Sequence, residues 1–166
     1  RFPLAFDEEI KQYAKNHKIN PAWAFAITRR ESSFMSDAHS SAGAKGLMQV
    51  MPGTAKQLTR RSISSKYLLN SKNNINLGTQ YLRKLLDKHK GNPVLATASY
   101  NAGPYRVSRW LKEAPALPAD MWIETIPFKE TRDYVKSVLA YQQIYQVKVG
   151  QPKSLFGDLA NMAISD

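Results

Sequence analysis

The sequence predicts an almost wholly α-helical chain. Asn-Pro pairs start helices at two places, apolar residues recur at three- and four-residue spacing over long stretches, and no run of alternating apolar residues marks a strand. With 166 residues and 43% hydrophobic content, the expectation is one compact domain over residues 1–150 with its own core.

The elements follow in order. Asp7, Glu8 and Glu9 open a first helix, and Lys15, His17 and Lys18 stand at its far end, so its charges complement the helix dipole. Asn20 is an N-cap and Pro21 a first helical residue; that helix runs through Trp23, Phe25, Ala26 and Ile27 to about Ser32. Pro52 opens a short helix with Thr54 and Ala55 in its body. Ile75, Gly78, Leu82, Leu85 and Leu86 mark a long amphipathic helix after Ser71. Asn92-Pro93 starts another, through Leu95 and Ala98. Residues 104–111 form a shorter one with Val107, Trp110 and Leu111. From Glu130 to about Val147, the residues Tyr134, Val135, Val138, Leu139, Gln142 and Tyr145 repeat the helical spacing. Residues 32–46, rich in Ser, Gly and Ala, and residues 114–127, with Pro115, Pro118 and Pro127, resist regular structure, and long irregular segments often carry function. The tail, 151–166, reads as a short packed helix or a partly disordered end.

Composition excludes some chemistries. Without cysteine there is no disulfide and no thiolate nucleophile, and His17, His39 and His89 show no ligand spacing, so neither a metal nor another cofactor is expected. No apolar run is long enough to span a bilayer, so stable membrane insertion is not expected either. The start at Arg1 carries no leader pattern and reads as the middle of a longer polypeptide. A net charge of +11 attracts polyanions, nucleic acid or an anionic glycan, and charge alone does not choose between them. Basic residues come in pairs at most, Arg29-Arg30 and Arg60-Arg61, which weighs against a nucleic-acid recognition helix.

Four blocks can carry chemistry. Glu31 ends an apolar helix on the face of Ala24 and Ile27; burial there and the negative helix end both raise a carboxyl pKa, as a general acid requires. The same residue also reads as a solvated helix-end acid or an ordinary ion pair. In the stretch from Gly43 to Pro52, Gln49 is a lone amide among Leu47, Met48, Val50 and Met51, suited to a sugar hydroxyl or N-acetyl group, and Met51 to a sugar face; a buried turn before a helix is the plainer alternative. Tyr100-Asn101-Ala102-Gly103 is a helix end, where Tyr100 can orient a carboxyl and Asn101 can donate to an acetamide carbonyl. Glu124, before Ile126 and Pro127, is expected in extended chain on a loop, as a ligand contact or a brace.

Taken together these blocks resemble the soluble lytic transglycosylases of Gram-negative bacteria, the family with a goose-lysozyme-like catalytic domain. The resemblance covers about residues 2–150 and rests on Glu31-Ser32-Ser33-Phe34, Gly43 to Pro52, Ala98 to Gly103, and Glu124 to Val135, all in register. It departs at Met35-Ser36, where many members carry Asn-Pro. The family implies an all-α lysozyme-like domain that acts in the periplasm on peptidoglycan glycan strands. It breaks the β-1,4 bond between N-acetylmuramic acid and N-acetylglucosamine and leaves a 1,6-anhydro product. The resemblance maps the acid onto Glu31 and places Ser40, Gln49, Met51, Tyr100, Asn101 and Glu124 near the substrate, with Ser40 close to the muramic ring and Tyr134 a further candidate. No nucleic-acid partner is expected, and the protein is read as a monomer.

Overall fold

The structure, a computed structural model, describes residues 6–114 and 116–150. Among these the regular elements are helices α1 (Asp7–Asn16), α2 (Pro21–Ser32), α3 (Pro52–Thr59), α4 (Ser65–Leu69), α5 (Ser71–Lys88), α6 (Pro93–Ala102), α7 (Pro104–Glu113), α8 (Ala119–Thr125) and α9 (Lys129–Lys148). Among the described residues, isolated bridges pair His39 with Lys45 and Lys45 with Val50. The all-α expectation therefore holds. The tail expected after residue 150 lies outside the described residues.

Both Asn-Pro starts are formed as the sequence predicts. The Asn20 side chain accepts from Ala22 N at 2.8 Å, and Asn92 accepts from Val94 N and Leu95 N, so each asparagine satisfies amides that the first helical turn leaves open. Two helices depart from the expectation. The single-turn α4 is capped by Ser64, whose hydroxyl accepts from Tyr67 N, and is anchored by buried Leu68. Helix α8 occupies residues expected to be irregular. Pro118 stands at its N-cap, where a missing N–H costs nothing, and Pro127 lies beyond its end, so the prolines bound the helix instead of breaking it.

The chain divides into two compact units, Arg1–Arg83 and Lys84–Asp166. In the first, α1 packs on α2, and buried Ile10, Ala14, Trp23, Phe25 and Ile27 supply the apolar faces. Two polar contacts fasten the α1–α2 connection to α5: His17 Nε2 hydrogen-bonds Asn76 Oδ1 at 2.7 Å, and Arg83 donates to the Lys18 carbonyl at 3.0 Å. In the second, α6 packs against both α7 and α9, and α8 against α9. Their shared core holds Val94, Leu95, Ala98, Val107, Trp110, Trp122, Ile123, Val135 and Leu139.

The entry to α6 is held by a buried polar pair. His89 Nε2 and Ser99 Oγ lie 2.6 Å apart, and burial, helped by the neighbouring Lys88 charge, pushes the His89 pKa from 6.5 down to about 4. A folded-state value below the ordinary one means that protons favour the unfolded chain. The stability owed to neutral His89 is whole above about pH 6.5 and is lost as pH falls toward 4, at a slope of at most about 1.4 kcal/mol per pH unit. The difference in melting temperature between wild type and His89→Gln should shrink steadily between pH 7 and pH 4.5; a constant difference across that range would contradict the assignment.

Candidate functional site

Glu31 lies in the last turn of α2, where the sequence put it, and is half-buried, while Ala24 and Ile27 on its face are fully buried. The chain leaves this turn abruptly. Ser33 and Phe34 both take the left-handed conformation, with φ 52° and 64°, which side-chain-bearing residues seldom adopt. Three bonds hold the exit: Ser33 N donates to Arg29 O at 3.0 Å, Phe34 N to Ser32 Oγ at 3.1 Å and Met35 N to Ser32 O at 3.0 Å. The Phe34 ring is buried 6.5 Å from that of Phe25, so an apolar anchor backs the strained bend and fixes the turn that carries Glu31.

The loop that follows, irregular as predicted, is a knot of backbone bonds. Ser40 and Ala44 close a tight turn: Ser40 N donates to Ala44 O, and Ala44 N donates to Ser40 Oγ, both at 3.0 Å. Lys45 and Val50 exchange a pair of backbone bonds around the Gly46–Gln49 turn. Gln49, left-handed at φ 51°, sends both amide hydrogens back into the loop, to Ala38 O at 3.0 Å and Gly46 O at 2.9 Å. Both hydrogens of this amide are thus committed to the loop itself. Met51, at the N-cap of α3, is 39% exposed. Ser40 and Gln49 thus belong to one bonded loop that Met51 ends, and Glu31 precedes it in the chain.

What seats this loop is Asn74, buried in α5 and not anticipated as a site residue. Its Nδ2 donates to Lys45 O at 2.7 Å and Leu68 O at 2.8 Å, and its Oδ1 accepts from Met48 N at 2.7 Å. One turn on, Gly78 makes room for the Met48 side chain; a Cβ there would stand 2.8 Å from the Met48 Cβ. Gly46 is held against Asn74 in the same way, with a left-handed φ of 79°. The sequence carried a signal for this: Asn74 interrupts the apolar stripe of α5 four residues before Gly78, and a buried amide on such a stripe needs partners.

In the second unit, Tyr100 and Asn101 fall in the last turn of α6, half-buried, and Gly103 ends the helix with φ 92°. Asn101 Oδ1 accepts from the hydroxyl of Thr131 on α9 at 2.8 Å. One residue stands otherwise than expected. Glu124 lies on helix α8, not in extended chain, because Trp122 and Ile123 beside it are buried and pull the segment into a turn. Its carboxylate is 59% exposed and pairs with Lys136 at 2.6 Å. Tyr134 is only 1% exposed, on α9's buried face. Among the described residues no group of three or more His, Asp or Glu side chains is placed to hold a metal ion, and no helix is long and apolar enough to cross a membrane.

Residues 8–123 match the transglycosylase SLT domain, and residues 125–154 match the soluble lytic transglycosylase helical domain. The chain belongs to the transglycosylase SLT domain family. It is 42% identical over 164 residues to the soluble lytic murein transglycosylase of Salmonella typhimurium, covering 95% of this chain and 25% of that protein. It resembles the 70 kDa soluble lytic transglycosylase of Escherichia coli with a TM-score of 0.91 and 38% identity, over 98% of this chain and 28% of that one. The lytic transglycosylase Slt of Pseudomonas aeruginosa, solved as an inactive Glu-to-Gln mutant, is similar at 49% identity and a TM-score of 0.88, over 93% of this chain and 26% of that one. The fold is thus all-α and lysozyme-like, and the chain spans about a quarter of the length of these relatives.

Asn74 generates a test of the loop's seating. Asn74→Ala takes their side-chain partner from the Met48 amide and the Leu68 carbonyl and removes one of the two bonds to the Lys45 carbonyl, which keeps Val50 N, at a cost of about 2 kcal/mol or more. The urea midpoint should fall accordingly, and an unchanged midpoint would show that the loop does not depend on this amide.

Proposed function

We propose that residues 1–150 form the catalytic domain of a periplasmic lytic transglycosylase. It cleaves the β-1,4 bond between N-acetylmuramic acid and N-acetylglucosamine in peptidoglycan and forms a 1,6-anhydromuramic end. The observation that carries this reading is Glu31, a half-buried carboxyl at the end of an apolar helix, in a chain whose family relatives are named murein transglycosylases. The loss of activity in a relative's Glu-to-Gln mutant supports a mechanism that turns on a glutamic acid.

In this mechanism protonated Glu31 gives its proton to the leaving glycosidic oxygen as the bond to C1 breaks. The substrate's own N-acetyl carbonyl stabilises C1 from the opposite face, in place of the second carboxylate of ordinary glycosidases. Glu31, now ionised, takes the proton of the C6 hydroxyl as its oxygen closes on C1. The enzyme returns to its starting state, no water is consumed, and no cofactor or metal is required. Asn101 donates to the acetamide, Tyr100 steers the acid, Gln49 accepts from a sugar hydroxyl through Oε1, and Met51 packs on a sugar face. Ser40 lies by the muramic ring and Glu124 contributes from the rim. Tyr134 is a further residue of the site. The working unit is a monomer acting on glycan strands, with no nucleic-acid partner.

Glu31→Gln should lower turnover by a factor of at least about 10³ with sacculus binding retained, because one group serves both proton steps. The wild-type product, weighed by mass spectrometry, should be one water lighter than a hydrolysed muropeptide. Reducing ends alone would point to a muramidase, and sacculus binding with no released product to a glycan-binding module.

The +11 charge has a place in this reading, because lactyl-peptide carboxylates make peptidoglycan anionic. Arg106 and Arg109, one turn apart on α7, are exposed and stacked on aromatic rings: Arg106 lies 4.9 Å from the Phe128 centroid and Arg109 5.8 Å from that of Tyr105. Ring contacts hold guanidinium groups in place while leaving their edges to anions. Sacculus affinity should fall several-fold from low to high salt, and the double variant Arg106→Ala, Arg109→Ala should weaken low-salt binding and flatten that dependence. A salt-insensitive wild type would refute the electrostatic role.

A further inference from the structure

We propose that Thr131 is a positioning residue, which sets the orientation of the Asn101 amide and thereby turns a hydrogen-bond donor toward the substrate. The inference rests on the reading of Asn101 as a substrate contact. An asparagine amide has two faces of opposite character, a carbonyl that accepts and an NH₂ that donates, and rotation by half a turn exchanges them. On a half-exposed helix end, water satisfies both orientations about equally. A group that recognises an acetamide carbonyl must present only the donor.

Thr131 supplies the asymmetry. Its side chain is fully buried in the first turn of α9, and its hydroxyl lies 2.8 Å from Asn101 Oδ1. This is the one hydrogen bond that the Thr131 hydroxyl makes among the described residues. A flipped Asn101 would face that hydroxyl with its NH₂ and leave a buried O–H without an acceptor, which is the costly case. The carbonyl is therefore held on the inner side, and both Nδ2 hydrogens remain for the outer side, where Asn101 is half-exposed. The frame around the pair is stiff. Gly103 N closes the end of α6 onto Ser99 O at 2.8 Å, and α6 is packed along α9. Arg132, next to Thr131, donates to the Ile126 carbonyl at 2.8 Å and fixes the start of α9. Thr131 thus explains a residue of the Glu124-to-Val135 block to which substrate contact assigns no task.

The test compares Thr131→Val, which keeps the shape and removes the hydroxyl, with Thr131→Ser, which keeps the hydroxyl, and with Asn101→Ala and the double variant Thr131→Val, Asn101→Ala. Thr131→Val should lower kcat/KM on peptidoglycan glycan strands about five- to tenfold, the worth of one oriented hydrogen bond, and Thr131→Ser should stay within about twofold of wild type. The double variant should be no worse than Asn101→Ala, because Thr131 acts through that amide. The side-chain NH₂ resonances of Asn101, followed by NMR without substrate, should report a rigid amide in wild type and in Thr131→Ser and a mobile one in Thr131→Val. Wild-type kinetics in Thr131→Val, or an equal loss when it is added to Asn101→Ala, overturns the positioning role, and so does an amide whose mobility ignores Thr131. A silent Asn101→Ala in an enzyme that still depends on Glu31 removes Asn101 from the site and the proposal with it. An inactive wild type instead counts against the function proposed above, while the NMR comparison still judges the Thr131 contact.

Discussion

The first unit depends on a neutral amide in a place where a charge would be costly. Asn74 is fully buried on α5, and its side chain bonds backbone groups of other segments: Met48, Lys45 and Leu68. A carboxylate could not donate there and an ammonium could not accept; only a carboxamide does both without bringing a charge into the core. With the turn seated by Asn74 and locked by Met48 against Gly78, Gln49 can hold a left-handed backbone that its own residue type disfavours. Of the side-chain-bearing residues with positive φ, Ser33, Phe34 and Gln49 all lie in or beside the segments that carry the candidate site.

A common economy links the two units. Gln49 commits its NH₂ to the loop and keeps its carbonyl, whereas Asn101 commits its carbonyl to Thr131 and keeps its NH₂. Each amide is half anchor and half free hand, so its orientation is settled before any ligand arrives. Preorganisation of this kind lowers the ordering cost of binding and fixes which polar partner is accepted. The charges follow a different rule. The ion pairs Lys11 with Asp7, Lys129 with Asp133 and Lys136 with Glu124 are solvent-exposed, and pairs of that kind contribute little to stability.

Much of this was legible in the sequence because helix starts are local chemistry. Asn20-Pro21, Asn92-Pro93, Pro52 and Pro104 each announced a helix that the structure contains, and Glu31 fell in the last turn where the apolar spacing ended. The failures were non-local. The prolines of 114–127 read as breakers, since nothing in the local pattern says that Trp122 and Ile123 find a core that repays a short helix between them. Glu124 was placed in extended chain for that reason. Asn74 and Thr131 were passed over because partners such as Met48, Lys45 and Asn101 lie 26 to 30 residues away, and a polar residue's task is invisible until its partner is known.

The Met48 lock also sorts the methionines by chemical fate. Met48 is sealed from solvent, while Met35, Met51 and Met121 are 59%, 39% and 54% exposed. Peroxide reaching the folded protein therefore meets the outer thioethers first, and sulfoxide formation there adds polarity at the surface without touching the joint between loop and helix. Oxidative wear would mark the surface at Met51 long before it loosened the scaffold beneath.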